Sequence, residues 1–177
     1  MLLVIAATPQ ELGGAAGART LVCGIGPREA YTATEDAVAE GGADAVLHVG
    51  IAGARRDAGV PLLATVIGTE AIDCDGDSEP IAPSAKLLAA ARRAVPAALA
   101  LPIGTSARVG GSSGVSVEAM EGFAVLAACQ DEGVPVLELR VVSNEVEEPD
   151  RALWRFDEAL AELARVTALV IAEIERS

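Results

Sequence analysis

Three polar side chains, Glu11, Glu121 and Asn144, stand beside apolar runs in the 177-residue chain, where an α/β fold exposes functional groups. A carboxylate such as Glu121 accepts two hydrogen bonds from adjacent hydroxyls, which suits a sugar diol. Met120 beside it offers soft apolar surface to a sugar face. Asn144 carries both a donor and an acceptor, so it can address the edge of a heterocycle, and its NH₂ matches the N7 and O6 acceptors of a 6-oxopurine. Glu11, just past the end of the first apolar run, can serve as a general base toward water, although a solvated loop acid is the plainer reading. Together these groups describe N-glycosidic bond cleavage. Acid-plus-amide sites are common, so residue types alone do not force that chemistry.

The elements that must position these residues alternate. Residues 2–7, 20–25, 45–51, 64–73 and 135–142 read as strands and 103–111 as a strand with its glycine-rich exit, the last strand carrying Glu138 and Arg140 on one face for pairing at an edge or subunit contact. Helices are expected over 28–40, 83–95, from Glu121 to about Gly133, and from Leu153 to the end. The third helix turns Phe123, Leu126 and Ala127 toward the core. The last has Phe156, Leu160, Leu163, Val170 and Ile174 as a core stripe. This order implies α/β architecture, a single three-layer αβα domain over residues 1–177 with a mixed, largely parallel central sheet. Small residues at Gly50, Ile51, Ala52 and Gly53 end the third strand where backbone can approach a ligand or a neighbouring strand.

Composition excludes several classes. With 26 acidic and 13 basic residues the formal charge is −13, which repels nucleic acid and anionic membrane surfaces. No run reaches the ~18 apolar residues of a membrane span, and the N-terminus lacks the basic and long apolar regions of a signal peptide. Cys23, Cys74 and Cys129 form neither a disulfide framework nor a zinc pattern, which fits a reducing cytoplasm. The one histidine, His48, lies inside a strand and reads as a hydrogen-bonded core residue. A transition metal therefore has no ligand set, and no cofactor is expected. The GIGPRE turn at 24–29 lacks the third glycine of a dinucleotide fingerprint. Asp73, Asp75 and Asp77 alternate like a calcium loop but lack the closing glutamate, so a solvated loop is expected.

The block from Glu118 to Leu160, with EAMEG, VSN and PDRALWR as they stand, closely resembles the C-terminal third of futalosine hydrolases of the nucleoside phosphorylase and nucleosidase superfamily. AATPQE, CGIGP and VGIAGA are similar to that family's N-terminal signals. The resemblance implies a nucleoside phosphorylase-like fold and a metal-free homodimer or higher homo-oligomer that releases hypoxanthine from futalosine in menaquinone biosynthesis. It gives Glu11 and Asn144 catalytic positions, the first toward water and the second toward the purine, and sets Ile51, Met120, Glu121 and Phe123 at the substrate. Asn144 matches an Asp of the related methylthioadenosine and adenosylhomocysteine nucleosidases. A neutral Asp donates a proton to N7 and Asn only hydrogen-bonds, which favours a 6-oxopurine. Phosphorolysis, nucleosidase action on methylthioadenosine or adenosylhomocysteine, and inactive nucleoside binding remain alternatives. Against phosphorolysis, the loop AATPQELGG presents Glu11 and no Arg until Arg19, so water is favoured over a phosphate dianion.

Overall fold

A computed structural model describes residues 1–111 and 114–177. Seven strands and four helices alternate: β1 Leu2–Ala6, β2 Arg19–Val22, α1 Pro27–Ala39, β3 Ala45–Ala54, β4 Thr65–Asp73, α2 Ala85–Ala94, β5 Leu99–Thr105, β6 Val117–Ala119, α3 Gly122–Asp131, β7 Val136–Glu145 and α4 Phe156–Arg176. The sheet runs β2-β1-β3-β6-β5-β4-β7, and β7 also pairs with β3. Thus β3, β6, β5, β4 and β7 close into a ring, from which β1 and β2 extend. Pairing is parallel except for β3 with β6 and β4 with β7, so the sheet is mixed and largely parallel.

Strand alternation builds the three layers. On β1, Val4 and Ala6 face one side with Leu47, Leu137 and Leu139, covered by Leu87 of α2 and Leu163, Val166 and Val170 of α4. Leu3 and Ile5 face the other side, with Val46 and Val136, under Ala30 and Val38 of α1 and Ala124, Val125 and Cys129 of α3. Burying both faces explains why β1 reads as a continuous aliphatic run.

Several sequence expectations need correction. The fifth strand begins at Leu99, ahead of the expected 103, while residues 106–111 form the exit expected after it. Pro102 hides this strand. It sits opposite the register irregularity between Gly68 and Ala71 and before β6 pairing begins at Ile103, where a missing N–H costs no ladder bond. Glu138 and Arg140 are not at an edge. β7 has β3 on one side and β4 on the other, and both side chains are 1% exposed. On α3 Leu126 is buried and Phe123 packs half-buried against the core as expected, but Ala127 is not part of it, and Ala124, Val125, Ala128 and Cys129 complete the buried face. The last helix starts at Phe156, because Arg151–Leu153 form a separate 3₁₀ turn capped by the Asp150 carboxylate on the Ala152 N–H.

Candidate active site

The 3₁₀ turn Pro9–Leu12 follows β1 and folds Glu11 back under the strand ends. One oxygen of its carboxylate, Oε2, accepts from the Thr8 N–H at 3.0 Å and the Thr8 hydroxyl at 2.8 Å. The other, Oε1, accepts from the Ile51 N–H at 3.0 Å. Only 6% exposed, Glu11 is an oriented buried acid and not a solvated loop residue. Glu121 immediately precedes α3, is 4% exposed, and accepts from the Gly26 N–H at 3.2 Å.

Arg140 joins the two acids. Its Nε donates to Glu138 Oε1 at 2.8 Å, Nη2 lies 3.6 Å from Glu121 Oε2 and 2.5 Å from His48 Nε2, and Nη1 reaches the Ile51 carbonyl at 3.4 Å. Burial alone would favour discharging the guanidinium, but Glu138, Glu121 and Glu11 outweigh it and hold Arg140 charged. Burial raises Glu121 above the usual carboxylate range, with Arg140 and the Gly26 N–H pulling the other way. Burial likewise raises Glu138 against the pull of Arg140. His48 is fully buried, its Nδ1 faces the Ile5 carbonyl at 3.1 Å, and burial plus Arg140 push its pKa well below 6.5. It is therefore a neutral acceptor toward Arg140.

Two glycines make this arrangement possible. A Cβ on Gly50 would lie 2.0 Å from Arg140 Nη1 and 2.9 Å from Glu11 Oε1, and one on Gly122 would lie 2.2 Å from Glu138 Oε1. The close approach expected at Gly50 is thus to the neighbouring strand's arginine.

Asn144 is aimed by a bulge. The β3–β7 register passes from Ala52 opposite Val142 to Gly53 opposite Asn144, leaving Ser143 as the extra residue. Consecutive residues of a regular strand point to opposite faces, yet Ser143 and Asn144 both line one cavity. The Ser143 hydroxyl donates to Asn144 Oδ1 at 2.8 Å, and Asn144 Nδ2 donates to the Glu145 carbonyl at 2.9 Å. With Oδ1 engaged and one of the two Nδ2 hydrogens used, the other remains as a donor toward a ligand.

That cavity, about 470 Å³, brings together Glu11, Ile51, Met120, Glu121 and Asn144. Phe123, expected at the substrate, is not among its lining residues. It packs instead against the core beneath α1 and α3, and its N–H donates to the Thr105 hydroxyl at 2.7 Å. Phe156 and Leu160, read from their spacing as core, line the cavity together with Arg151 and Trp154. Helical periodicity could not separate these roles, since a cavity wall and a core face are equally apolar. Arg140 was legible only as a charge two residues from Glu138. Its contacts with His48 and Ile51 depend on the β3–β7 pairing, which no local signal encodes.

The alternating acids after β4 serve their own loops. Asp75 accepts from the Ser106 hydroxyl at 3.1 Å and the Ala107 N–H at 2.6 Å, and Asp73 accepts from the Asp75 N–H and the Ser78 hydroxyl. Among the described residues no group of three or more His, Cys, Asp or Glu could hold a metal ion, and no helix is long and apolar enough to cross a membrane.

A family model described as "Phosphorylase superfamily" matches residues 11–102. Futalosine hydrolase of Streptomyces coelicolor is 62% identical over 50 residues, 28% of this chain and 21% of that protein. Futalosine hydrolase of Thermus thermophilus is 47% identical over 60 residues, 34% of this chain and 27% of that protein. The chain thus spans about a quarter or less of the curated relatives it matches. Among solved structures, a Neisseria meningitidis 5′-methylthioadenosine/S-adenosylhomocysteine nucleosidase in complex with methylthio-immucillin-A superposes with TM-score 0.82 at 25% identity, covering 99% of this chain and 98% of that one. A futalosine hydrolase mutant of Helicobacter pylori superposes with TM-score 0.85 at 18% identity, covering 99% and 98%, and shares the fold.

Proposed function

The chain belongs to the phosphorylase superfamily, and from that premise we propose that it is a nucleosidase hydrolysing the N-glycosidic bond of a purine nucleoside. The observation that carries the proposal is the meeting of Glu11, Glu121 and Asn144, far apart in sequence, around one cavity of about 470 Å³. In this reading the Glu121 carboxylate accepts hydrogen bonds from the ribose 2′- and 3′-hydroxyls, with Met120 against the sugar. Glu11, oriented by Thr8 and Ile51, takes a proton from water as its oxygen bonds C1′. The C1′–N9 bond breaks and its electron pair passes to the base, where the Asn144 N–H not taken by the Glu145 carbonyl meets the charge developing along the N7 and O6 edge. Since Asn holds no transferable proton, the departing purine is protonated from solvent.

Water is favoured over phosphate because the position beside Glu11 is also flanked by Glu121, and two carboxylates repel a dianion. Arg140, the nearest guanidinium, is already bound to Glu138 and His48. The curated relatives are futalosine hydrolases, and Asn144 suits hypoxanthine. Futalosine, cleaved on a route to menaquinone in the cytoplasm by a homodimer or larger homo-oligomer, is accordingly the substrate we propose. The test is to incubate the protein with futalosine, inosine and methylthioadenosine, with and without phosphate, and to measure free base. Phosphate-independent release of hypoxanthine is expected. Release only with phosphate would reassign Glu11 and make the enzyme a phosphorylase.

A further inference from the structure

Among the described residues the Arg140 guanidinium makes hydrogen bonds to Glu138, His48 and the Ile51 carbonyl, and none to the two acids that line the cavity. Glu138 takes Nε at 2.8 Å and His48 Nε2 takes Nη2 at 2.5 Å, while Glu121 Oε2 stands 3.6 Å from Nη2, outside hydrogen-bond length. Glu138 and His48 are fully buried, and neither lines the cavity. Glu138 has no second contact to account for it. Its Oε2 lacks a hydrogen-bond partner among the described residues, and the carboxylate fits only because Gly122 has no side chain, a Cβ there lying 2.3 Å from that oxygen. A buried acid with one oxygen unbonded costs stability, so what Glu138 contributes is its hold on Arg140. His48, neutral and turned with Nδ1 to the Ile5 carbonyl, supplies the second hold through Nε2.

Resting on the nucleosidase reading, we propose that Glu138 and His48 are positioning residues that hold Arg140 off Glu121, so that the Glu121 carboxylate keeps its acceptor sites for the ribose diol. A carboxylate has about four lone-pair sites, and the Gly26 N–H already takes one of them at 3.2 Å. A guanidinium free to turn would lay its fork of N–H donors on Glu121 and occupy the sites that two sugar hydroxyls need. Gripped at Nε and Nη2, Arg140 stays close enough to balance the charge of Glu121 without competing for its oxygens. Gly50 completes the arrangement, since a Cβ there would lie 2.0 Å from Arg140 Nη1 and push the guanidinium out of this position.

Inosine and 2′,3′-dideoxyinosine, which lacks both hydroxyls, test this. Base release gives the ratio of kcat/KM for the first over the second in each protein. Comparing that ratio between proteins cancels the folded fraction and the greater lability of the dideoxy sugar. His48→Leu and Glu138→Leu are expected to lower the wild-type ratio about tenfold or more, because Arg140 then closes on Glu121, whereas Glu138→Gln keeps an acceptor for Nε and is expected to stay within about threefold of wild type. His48→Leu removes no charge, and it decides the matter alone if Glu138→Leu does not fold. A ratio in His48→Leu within about threefold of wild type, or a Glu138→Gln ratio as low as that of Glu138→Leu, overturns the assignment. If the wild type releases no base, fluorescence of Trp154, the chain's single tryptophan and part of the cavity wall, gives the same ratio from dissociation constants. A preference for inosine that His48→Leu removes would then sustain the positioning role and remove the nucleosidase reading instead, and no preference for inosine would overturn both.

Discussion

Replacing Glu121 with Gln separates the function of this buried acid from its contribution to stability. The side chain keeps its shape and its contact with the Gly26 N–H, but loses the charge that faces Arg140 at 3.6 Å. Arg140 is not orphaned, since Glu138 holds it at 2.8 Å and Glu11 adds to the same field. Three carboxylates share one guanidinium here, so removing one relieves repulsion as well as desolvation. The folded-state pKa of Glu121 is raised above 4.5, so its contribution to stability is fully present below pH 4.5 and is lost as pH rises through the folded value. The variant is accordingly expected to be as stable as wild type or up to about 1 kcal/mol more stable at neutral pH, a Tm gain of roughly 0–4 °C, and to lose that advantage in acid. Activity moves the other way. Two charge-assisted hydrogen bonds to the ribose diol become neutral ones, a loss of about 1–1.5 kcal/mol each, or roughly 30- to 150-fold in kcat/KM. Thermal unfolding at two pH values and base release measure both quantities. A Tm drop beyond about 5 °C, or kcat/KM within about threefold of wild type, would refute the reasoning.

Three further outcomes follow from the same geometry. Glu11→Gln keeps the turn but cannot accept a proton from water, so kcat is expected to fall about 10²- to 10⁴-fold with KM changed less than about threefold in steady-state kinetics. Asn144→Asp introduces a carboxyl that can carry a proton to N7, and competition assays are expected to show adenine nucleosides gaining on hypoxanthine nucleosides by about tenfold or more, most strongly on the acid side of the profile. His48, the single histidine, is buried against Arg140, so its ring proton resonance in the folded protein is expected to remain that of the neutral form as pH falls through 6.5. Its depressed pKa adds stability above 6.5 that is lost as pH falls below it. An ordinary titration midpoint near 6.5 would show that the Arg140 contact is wrong.

The layered α/β fold was legible because strands buried on both faces carry aliphatic side chains on each, without a break in β1 and with His48 as the one polar side chain in β3. Glu121 and Asn144 were legible as polar residues at the ends of such runs. What escaped was set by pairing between distant segments. Pro102 masked the first residues of β5, where its missing N–H is tolerated because the ladder is irregular, and β6, three residues long, carries no periodic signal. Charge at Glu138 and Arg140 suggested an exposed edge, whereas each is buried through the partnership of the other. The bulge at Ser143 likewise depends on alignment with β3, and the 3₁₀ turn at Arg151–Leu153 shifts the helix start just enough to give Phe156 and Leu160 to the cavity.

A crystal structure with a non-hydrolysable purine riboside would probe the convergence of the three side chains most directly. It should find the 2′,3′-diol on the Glu121 carboxylate, the N7 and O6 edge of the base at the Asn144 amide, and a water held by Glu11 on the C1′ face opposite the base. A riboside bound elsewhere, or seated in this cavity with its sugar turned away from Glu121 and Glu11, would contradict the account.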